Sequence, residues 1–93
     1  QFGSQKQEDE LLKIITPVAV DQEKAFEKVF GEYLSYWKLI NMESSENSKE
    51  SEFVYMIRFK KAALPKKTEF IHAIKSLHKE NKVSVFGTEH LVY

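Results

Sequence analysis

Residues 52–61, with the sequence EFVYMIRFKK, decide the fold that this chain is predicted to adopt. Every second position is aromatic or aliphatic, which is the period of a β-strand with one face in a core. The residues expected to face inward are Phe53, Tyr55, Ile57 and Phe59. Val54, Met56 and Arg58 lie between them and are expected on the opposite face of the sheet.

The residues before this strand predict a strand, a helix and a short second strand. The run 11–16 is apolar and β-branched and ends at Pro17, which is typical of a strand. Asp21 is a good N-cap for a helix predicted over about 22–36. Its apolar stripe recurs at spacings of three and four: Phe26, Val29, Phe30, Tyr33, Leu34 and Trp37.

Gly31 falls inside that helix, where close approach to the sheet is one interpretation of its presence. Residues 39–42 predict the second strand, and segments 38–43 and 52–60 are expected to pair as a long hairpin around a polar loop.

After the hairpin, Pro65 suits the first position of a second helix, predicted over about 66–80. Its expected apolar stripe is Phe70, Ile71, Ile74, Leu77 and His78. Residues 82–86 predict a last strand that ends at Gly87.

The predicted order of elements is β-α-β-β-α-β. This order indicates an α+β, ferredoxin-like βαββαβ two-layer sandwich, with a four-stranded antiparallel sheet and two helices on one face. The expected spatial order of the strands is 4-1-3-2 or a close relative of it. We assign residues 10–87 to the domain, residues 1–9 to a disordered segment or linker, and residues 88–93 to a C-terminal tail.

Composition excludes most kinds of chemistry. The chain has 93 residues, no cysteine, three glycines and three histidines. No thiol site, phosphate-binding glycine loop or metal-binding histidine pair can be built from this sequence, and no serine lies in a nucleophile motif. We therefore predict no enzymatic activity, no cofactor and no metal.

The charges are divided unevenly along the chain. Residues 1–52 carry a net charge of −5 and residues 53–93 one of +5, so the whole is neutral. A chain divided in this way could self-associate electrostatically. We interpret the two halves as interleaved in the fold, which would instead cancel the asymmetry in space.

Two functions of this fold remain alternatives. An RNA-recognition domain stacks bases on aromatic residues of its third strand, and Phe53 and Tyr55 match two of those positions. Their expected place in the core argues against nucleic acid as a partner. An ACT-like small-ligand sensor usually has glycine between its first strand and helix, whereas residues 16–21 here contain none.

The open face of the sheet is the predicted working surface, because it carries more apolar area than a monomer usually exposes. The residues assigned to this protein interface are Leu11, Ile15, Val54, Met56, Arg58 and Phe86. A homodimer formed through the open sheet face or an edge strand is the simplest expectation.

Residues 11–86 also resemble a known family. Leu12-Lys13-Ile14 with Pro17, Ala25-Phe26, and Phe30 with Tyr33-Leu34-Ser35-Tyr36 carry the likeness in the first half. Lys38-Leu39, Phe53-x-Tyr55 and Lys67-x-Glu69-Phe70-Ile71 carry it in the second. The chain is similar to the cytosolic C-terminal, ferredoxin-like or ACT-like domain of a bacterial integral-membrane protein family of unknown function.

The resemblance implies a regulatory or protein-interaction module at the cytoplasmic side of the bacterial inner membrane. In that setting the membrane region of the same parent chain would be a further partner. The family supplies no catalytic residues, and we expect membrane-spanning segments upstream of Gln1.

Overall fold

A computed structural model describes residues 9–17, 22–44 and 49–87. Its elements in chain order are β1 (Glu10–Thr16), α1 (Gln22–Tyr33), β2 (Leu34–Ser44), β3 (Ser51–Phe59), a 3₁₀ helix (Lys61–Lys66), α2 (Lys67–Lys75) and β4 (Lys82–Gly87). The four strands form one antiparallel sheet in the order β2-β3-β1-β4. The predicted α+β, ferredoxin-like fold and its strand order are confirmed.

The core lies between the sheet and the two helices. All four inward-facing residues predicted on β3 are buried, and Leu12 and Ile14 of β1 lie beside them. The helices contribute Phe26, Phe30, Phe70 and Ile74 from above, and all four are fully buried. Val83 and Val85 of β4 pack against the edge of this cluster. Six of the twelve buried residues of this cluster are aromatic. A ring buries a large area per residue, which compensates for the small size of the core.

The first helix is shorter than predicted. It ends at Tyr33, and Leu34 already belongs to β2, so the prediction of a helix over 22–36 was wrong at its C-terminal end. Lys60 accounts for the ending: its backbone N–H donates to the carbonyl of Tyr33 at 3.0 Å, and its Nζ donates to the carbonyl of Gly31 at 3.0 Å. These bonds satisfy carbonyls that a helix end would otherwise leave without partners. Leu34 is buried opposite Phe59 instead of continuing the helical stripe.

The second helix also differs from its prediction over 66–80. Pro65 lies within the 3₁₀ helix, and α2 ends at Lys75. The side chains of Ser76 and Asn81 donate to the carbonyls of His72 and Ile74, at 2.8 and 3.0 Å, and so close its C-terminus. Phe70 and Ile74 are buried as expected, but Leu77 lies beyond the helix and is an exposed hydrophobic residue.

Ion pairs join the acidic and basic halves of the chain. Arg58 donates to Asp9 at 2.8 Å and Lys67 donates to Glu10 at 2.8 Å, while Lys82 lies 3.7 Å from Glu50. Each of these pairs takes its cation from 53–93 and its carboxylate from 1–52. At these three points charges of the two halves meet, in line with the interleaved interpretation.

Asp9 contacts β3 through Arg58, so the contacts of the domain begin one residue before the predicted boundary. The remaining residues assigned to the linker, 1–8, and those assigned to the tail, 88–93, lie outside the described residues. No helix in the described part of the chain is long and apolar enough to cross a membrane.

Gly31 does not serve close approach to the sheet. A methyl group placed on its Cα would meet no atom within 4 Å, so the sequence-based interpretation was wrong. The glycine remains a conformational cost to α1, because glycine loses more backbone freedom on helix formation than alanine does.

We expect Gly31→Ala to raise the free energy of unfolding by about 0.5–1 kcal/mol, since the helix gains propensity without a clash. Urea unfolding followed by circular dichroism at one fixed protein concentration measures this change. Lys28→Ala, at an exposed position of the same helix, is the control and should change stability much less. Destabilisation by Gly31→Ala would mean that this position is more crowded than the structure shows.

Candidate interaction surface

The open face of the sheet brings together all six residues that the sequence assigned to an interface. Leu11 lies directly between Met56 of β3 and Phe86 of β4 in the strand register. Val54 and Ile15 follow in the next two rows along the strands. No described helix packs on this side, because the core residues of both helices lie on the other. The predicted face assignment is therefore right for each of these residues.

The open face is nevertheless well covered by its own side chains. Leu11 keeps only 6% of its surface exposed, and Ile15, Val54, Met56 and Phe86 are all partly buried. Cross-strand neighbours on the same face shield one another in this way. The face is thus less available to a partner than strict alternation along the strands suggested.

Charged side chains of β1 and β3 on this face are also paired. Arg58 donates from Nε to Asp9 at 2.8 Å, and its guanidinium lies 5.2 Å from the centre of the Tyr36 ring. The hydrogen bond and the charge of Asp9 raise the pKa of Arg58, which keeps it cationic. Lys13 lies 3.8 Å from Glu52. These contacts tie the rim of the face into the sheet.

The edge strand β2 exposes apolar side chains much more openly. From Lys38 to Ser44 every residue is exposed, on the helix side of the sheet as well as on the open side. Four of the six large hydrophobic residues found exposed in the described part of the chain lie on β2: Tyr36, Leu39, Ile40 and Met42. No described strand pairs with the outer side of β2, so its outward N–H and C=O groups form an open edge.

The sequence predicts β2 at an edge and names an edge strand as one possible dimer contact, but it assigns no interface residue to β2. The start of the strand was also wrongly assigned to the helix, because Leu34 and Trp37 continue the helical spacing of Phe30 and Tyr33. The aromatic and β-branched content of 36–40 is the signal that could have revealed a longer strand. In the structure Trp37 packs on Phe30 from the strand, with ring centres 5.7 Å apart.

The clearest titratable group in the core is Tyr55. Its hydroxyl oxygen is buried and has no hydrogen-bond partner among the described residues. Burial raises the pKa of Tyr55 well above the ordinary 10.0, and the nearby carboxylates of Glu23 and Glu27 raise it further. Together with Phe53, it also occupies the ring positions of the RNA-recognition pattern. Since both rings are buried under the helices, neither is placed to stack on a base.

Other parts of the described structure offer little for a small ligand or a metal ion. A cleft of about 260 Å³ lies beside the end of α1, below the usual size of a ligand pocket. Its charged lining is balanced, with Glu32 and Glu69 facing Lys60 and Lys66. The described residues contain no group of three or more metal-binding side chains. Residues 18–21, which include the predicted N-cap Asp21 and on which the sensor alternative depends, lie outside the described residues.

Comparisons with known proteins extend to the fold only. No sequence family matches the chain, and no curated protein matches it. Among solved structures it is similar to the de novo designed protein Foldit4, with a TM-score of 0.57 and 18% identity over 86% of this chain and 93% of that one. An unknown protein from Galdieria sulphuraria gives a TM-score of 0.57 at 9% identity, over 94% of this chain and 53% of that one.

A dinuclear metal binding peptidase of the M20 family from Bacillus subtilis, YXEP, is also similar, with a TM-score of 0.56 and 13% identity. The match covers 87% of this chain but only 26% of the peptidase chain. At such identities the likeness shows a shared arrangement of strands and helices. It carries no statement about activity, because one fold hosts many functions.

We expect Tyr55→Phe to leave stability at neutral pH unchanged or to raise it by up to about 1 kcal/mol, because the lost hydroxyl is buried without a partner. Above pH 10 the unfolded chain releases the phenolic proton while the folded protein retains it, so the wild type loses stability as pH rises. This group lowers the free energy of unfolding by at most about 1.4 kcal/mol per pH unit. Urea unfolding of the wild type and of Tyr55→Phe between pH 8 and pH 11 measures this contribution as the difference between the two slopes.

The variant corrects for every other titratable group, since both proteins share all of them. Equal slopes for wild type and Tyr55→Phe above pH 10 would contradict the raised pKa of Tyr55. A marked loss of stability at pH 7 would instead show that its hydroxyl makes a hydrogen bond.

Proposed function

We propose that this chain is a non-enzymatic protein-interaction domain that self-associates through the edge strand β2, and that it acts as a regulatory module of a bacterial membrane protein. Two copies are held together by strand pairing and by apolar contacts, and no chemistry is performed. The association itself is the function that the geometry supports best.

The observation that carries this proposal is the concentration of exposed apolar side chains on an unpaired strand. Leu39, Ile40 and Met42 expose 36%, 47% and 48% of their surfaces within one stretch of β2. An edge that is long and apolar readily pairs with another chain, and natural proteins usually shorten, charge or cover such edges. On β2 the exposed stretch from Lys38 to Ser44 has no covering element among the described residues.

The edge is favoured over the open face, although the sequence left both possible. Leu11 is nearly inaccessible, Arg58 is held by Asp9, and no residue predicted for the open face is among the large hydrophobic residues found exposed. A partner on that face would gain little new apolar burial, whereas one on β2 would cover side chains that now face water.

The attachment to a membrane protein at the cytoplasmic side rests on the resemblance of residues 11–86 to the cytosolic domains described above. Self-association suits such a role, because dimerising domains can hold two parent chains together. Fractionation of cells expressing the full-length gene product tests this part, which fails if the product stays entirely in the soluble fraction.

Self-association is tested by sedimentation of the wild type, Ile40→Glu and Phe86→Glu from micromolar to millimolar concentrations, because Phe86 lies on β4 at the far edge of the sheet. The two substitutions introduce the same charge, one on the edge and one on the open face. We expect the wild type to dimerise and Ile40→Glu to weaken the dimer roughly tenfold or more, because a charge then enters a desolvated strand pair. Phe86→Glu should dimerise like the wild type.

The opposite result for the two variants would place the dimer contact on the open face. A wild type that sediments as a single chain at every concentration would overturn the proposed self-association. Circular dichroism of each variant verifies that the sheet is retained.

A further inference from the structure

β2 is irregular at the point where its exposed apolar residues cluster. Trp37 and Leu39 lie opposite the core residues Ile57 and Tyr55 of β3. The register then shifts between Leu39 and Asn41, leaving Ile40 as an extra residue. Such a bulge reverses the relation between residue number and sheet face beyond it.

The bulge places Lys38 and Glu43 on the same side of the sheet. Lys38 lies opposite Met56, and Glu43 lies opposite Glu52, so both side chains are on the open face. Leu39 and Met42 lie opposite Tyr55 and Phe53, on the helix face. Neither Lys38 nor Glu43 has an ion-pair partner among the described residues, in contrast to the charges on β1 and β3.

We propose that two copies of this chain pair β2 with β2 in an antiparallel register that sets Lys38 opposite Glu43 of the second copy, and Leu39 opposite Met42 of the second copy. This inference rests on the proposed self-association and specifies its contact. By two-fold symmetry each pair occurs twice. The formal net charge of the chain is zero, so two copies approach without net repulsion.

The sheet faces select this register. Residues directly opposite one another in an antiparallel pair project from the same face. Lys38 and Glu43 share the open face, and Leu39 and Met42 share the helix face, so the register satisfies both. Because both copies carry the same extra residue, the two irregular stretches meet without a further bulge.

Neighbouring registers fit worse. A slip of one residue sets Leu39 opposite Asn41 or Glu43, whose side chains are on the other face. A slip of two residues in one direction sets Asn41 opposite Met42, again on opposite faces. A slip of two in the other direction keeps the faces matched but sets Lys38 opposite Asn41, which leaves both charges of β2 without partners.

The resulting dimer has one continuous sheet, twice as wide as the sheet of a single chain. The helices of both copies lie on the same side of this sheet. The two Leu39–Met42 contacts lie on that side too, along the β2–β2 interface. Backbone hydrogen bonds give the contact its strength, while the cross-strand charge pairs fix which residues meet.

Charge reversal tests the register. Lys38→Glu sets two pairs of carboxylates opposite each other in its own dimer, and Glu43→Lys sets two pairs of ammonium groups. We expect each single variant to dimerise roughly tenfold or more weakly than the wild type at low salt. In an equimolar mixture of the two variants every pair is again complementary, so a mixed dimer should form. The double variant Lys38→Glu/Glu43→Lys should recover wild-type association.

The outcomes separate the register from the proposed self-association. If neither charge reversal changes the dissociation constant of the dimer and the mixture shows no preference for the mixed dimer, the register is wrong. Self-association itself is then still supported. A wild type that remains a single chain overturns both. Added salt should narrow the difference between single variants and wild type, since exposed charge pairs are screened.

Cysteine pairing gives a second test that does not depend on charge. The chain has no native cysteine, so introduced ones report only their own neighbours. Under mild oxidation, a mixture of Leu39→Cys and Met42→Cys chains should form a disulfide between unlike chains much faster than either variant alone, because the two Cβ atoms face each other across the strands. Mass spectrometry of tagged copies distinguishes disulfides between like chains from those between unlike chains. Equal rates of disulfide formation for the two kinds would contradict the register.

Discussion

Phe30 is the side chain through which the layers of this domain are joined. Its ring centre lies 4.9 Å from that of Tyr55 on β3 and 5.7 Å from that of Trp37 on β2. It also lies 6.4 Å from Phe26 on its own helix and 6.1 Å from Phe70 on α2. Because one buried ring contacts both helices and two strands, the position of α1 over the sheet is fixed by the same contacts that close the core.

This arrangement determines where the fold leaves apolar surface in water. Contacts with Phe30 reach β2 at Trp37, and from Lys38 onward every residue of the strand is exposed. A small core of large rings covers the middle of the sheet and leaves one end of its edge strand bare. The exposed β2 edge is therefore a consequence of how the core is built, and the bulge near Leu39 then aligns its side chains.

The sequence predicts an element well where the spacing of its apolar residues fits either a strand or a helix, but not both. Strict alternation over Phe53 to Phe59 excludes a helix, so β3, its faces and the strand order followed. The end of α1 was not predictable in this way, because Leu34 satisfies both the helical spacing and a place opposite Phe59. The distant Lys60, which bonds to the carbonyls of Gly31 and Tyr33, decides between them. The same error concealed the first part of β2, from Leu34 to Trp37. The exposed residues of the proposed interface lie within the predicted segment 38–43, but the bulge at Ile40 and the exposure of both faces were not predicted.

Charged residues on β2 give the edge a selectivity that exposed apolar residues alone would lack. A lysine on an edge strand discourages pairing with an arbitrary strand, because its charge must then be desolvated without a partner. Lys38 has this effect on most sequences that could lie beside it. The one other charged residue of β2 is Glu43, and a second copy in the proposed register presents it opposite Lys38. In the proposed register, an edge with these two charges accepts its own copy and disfavours pairing with strands that offer Lys38 no acidic partner.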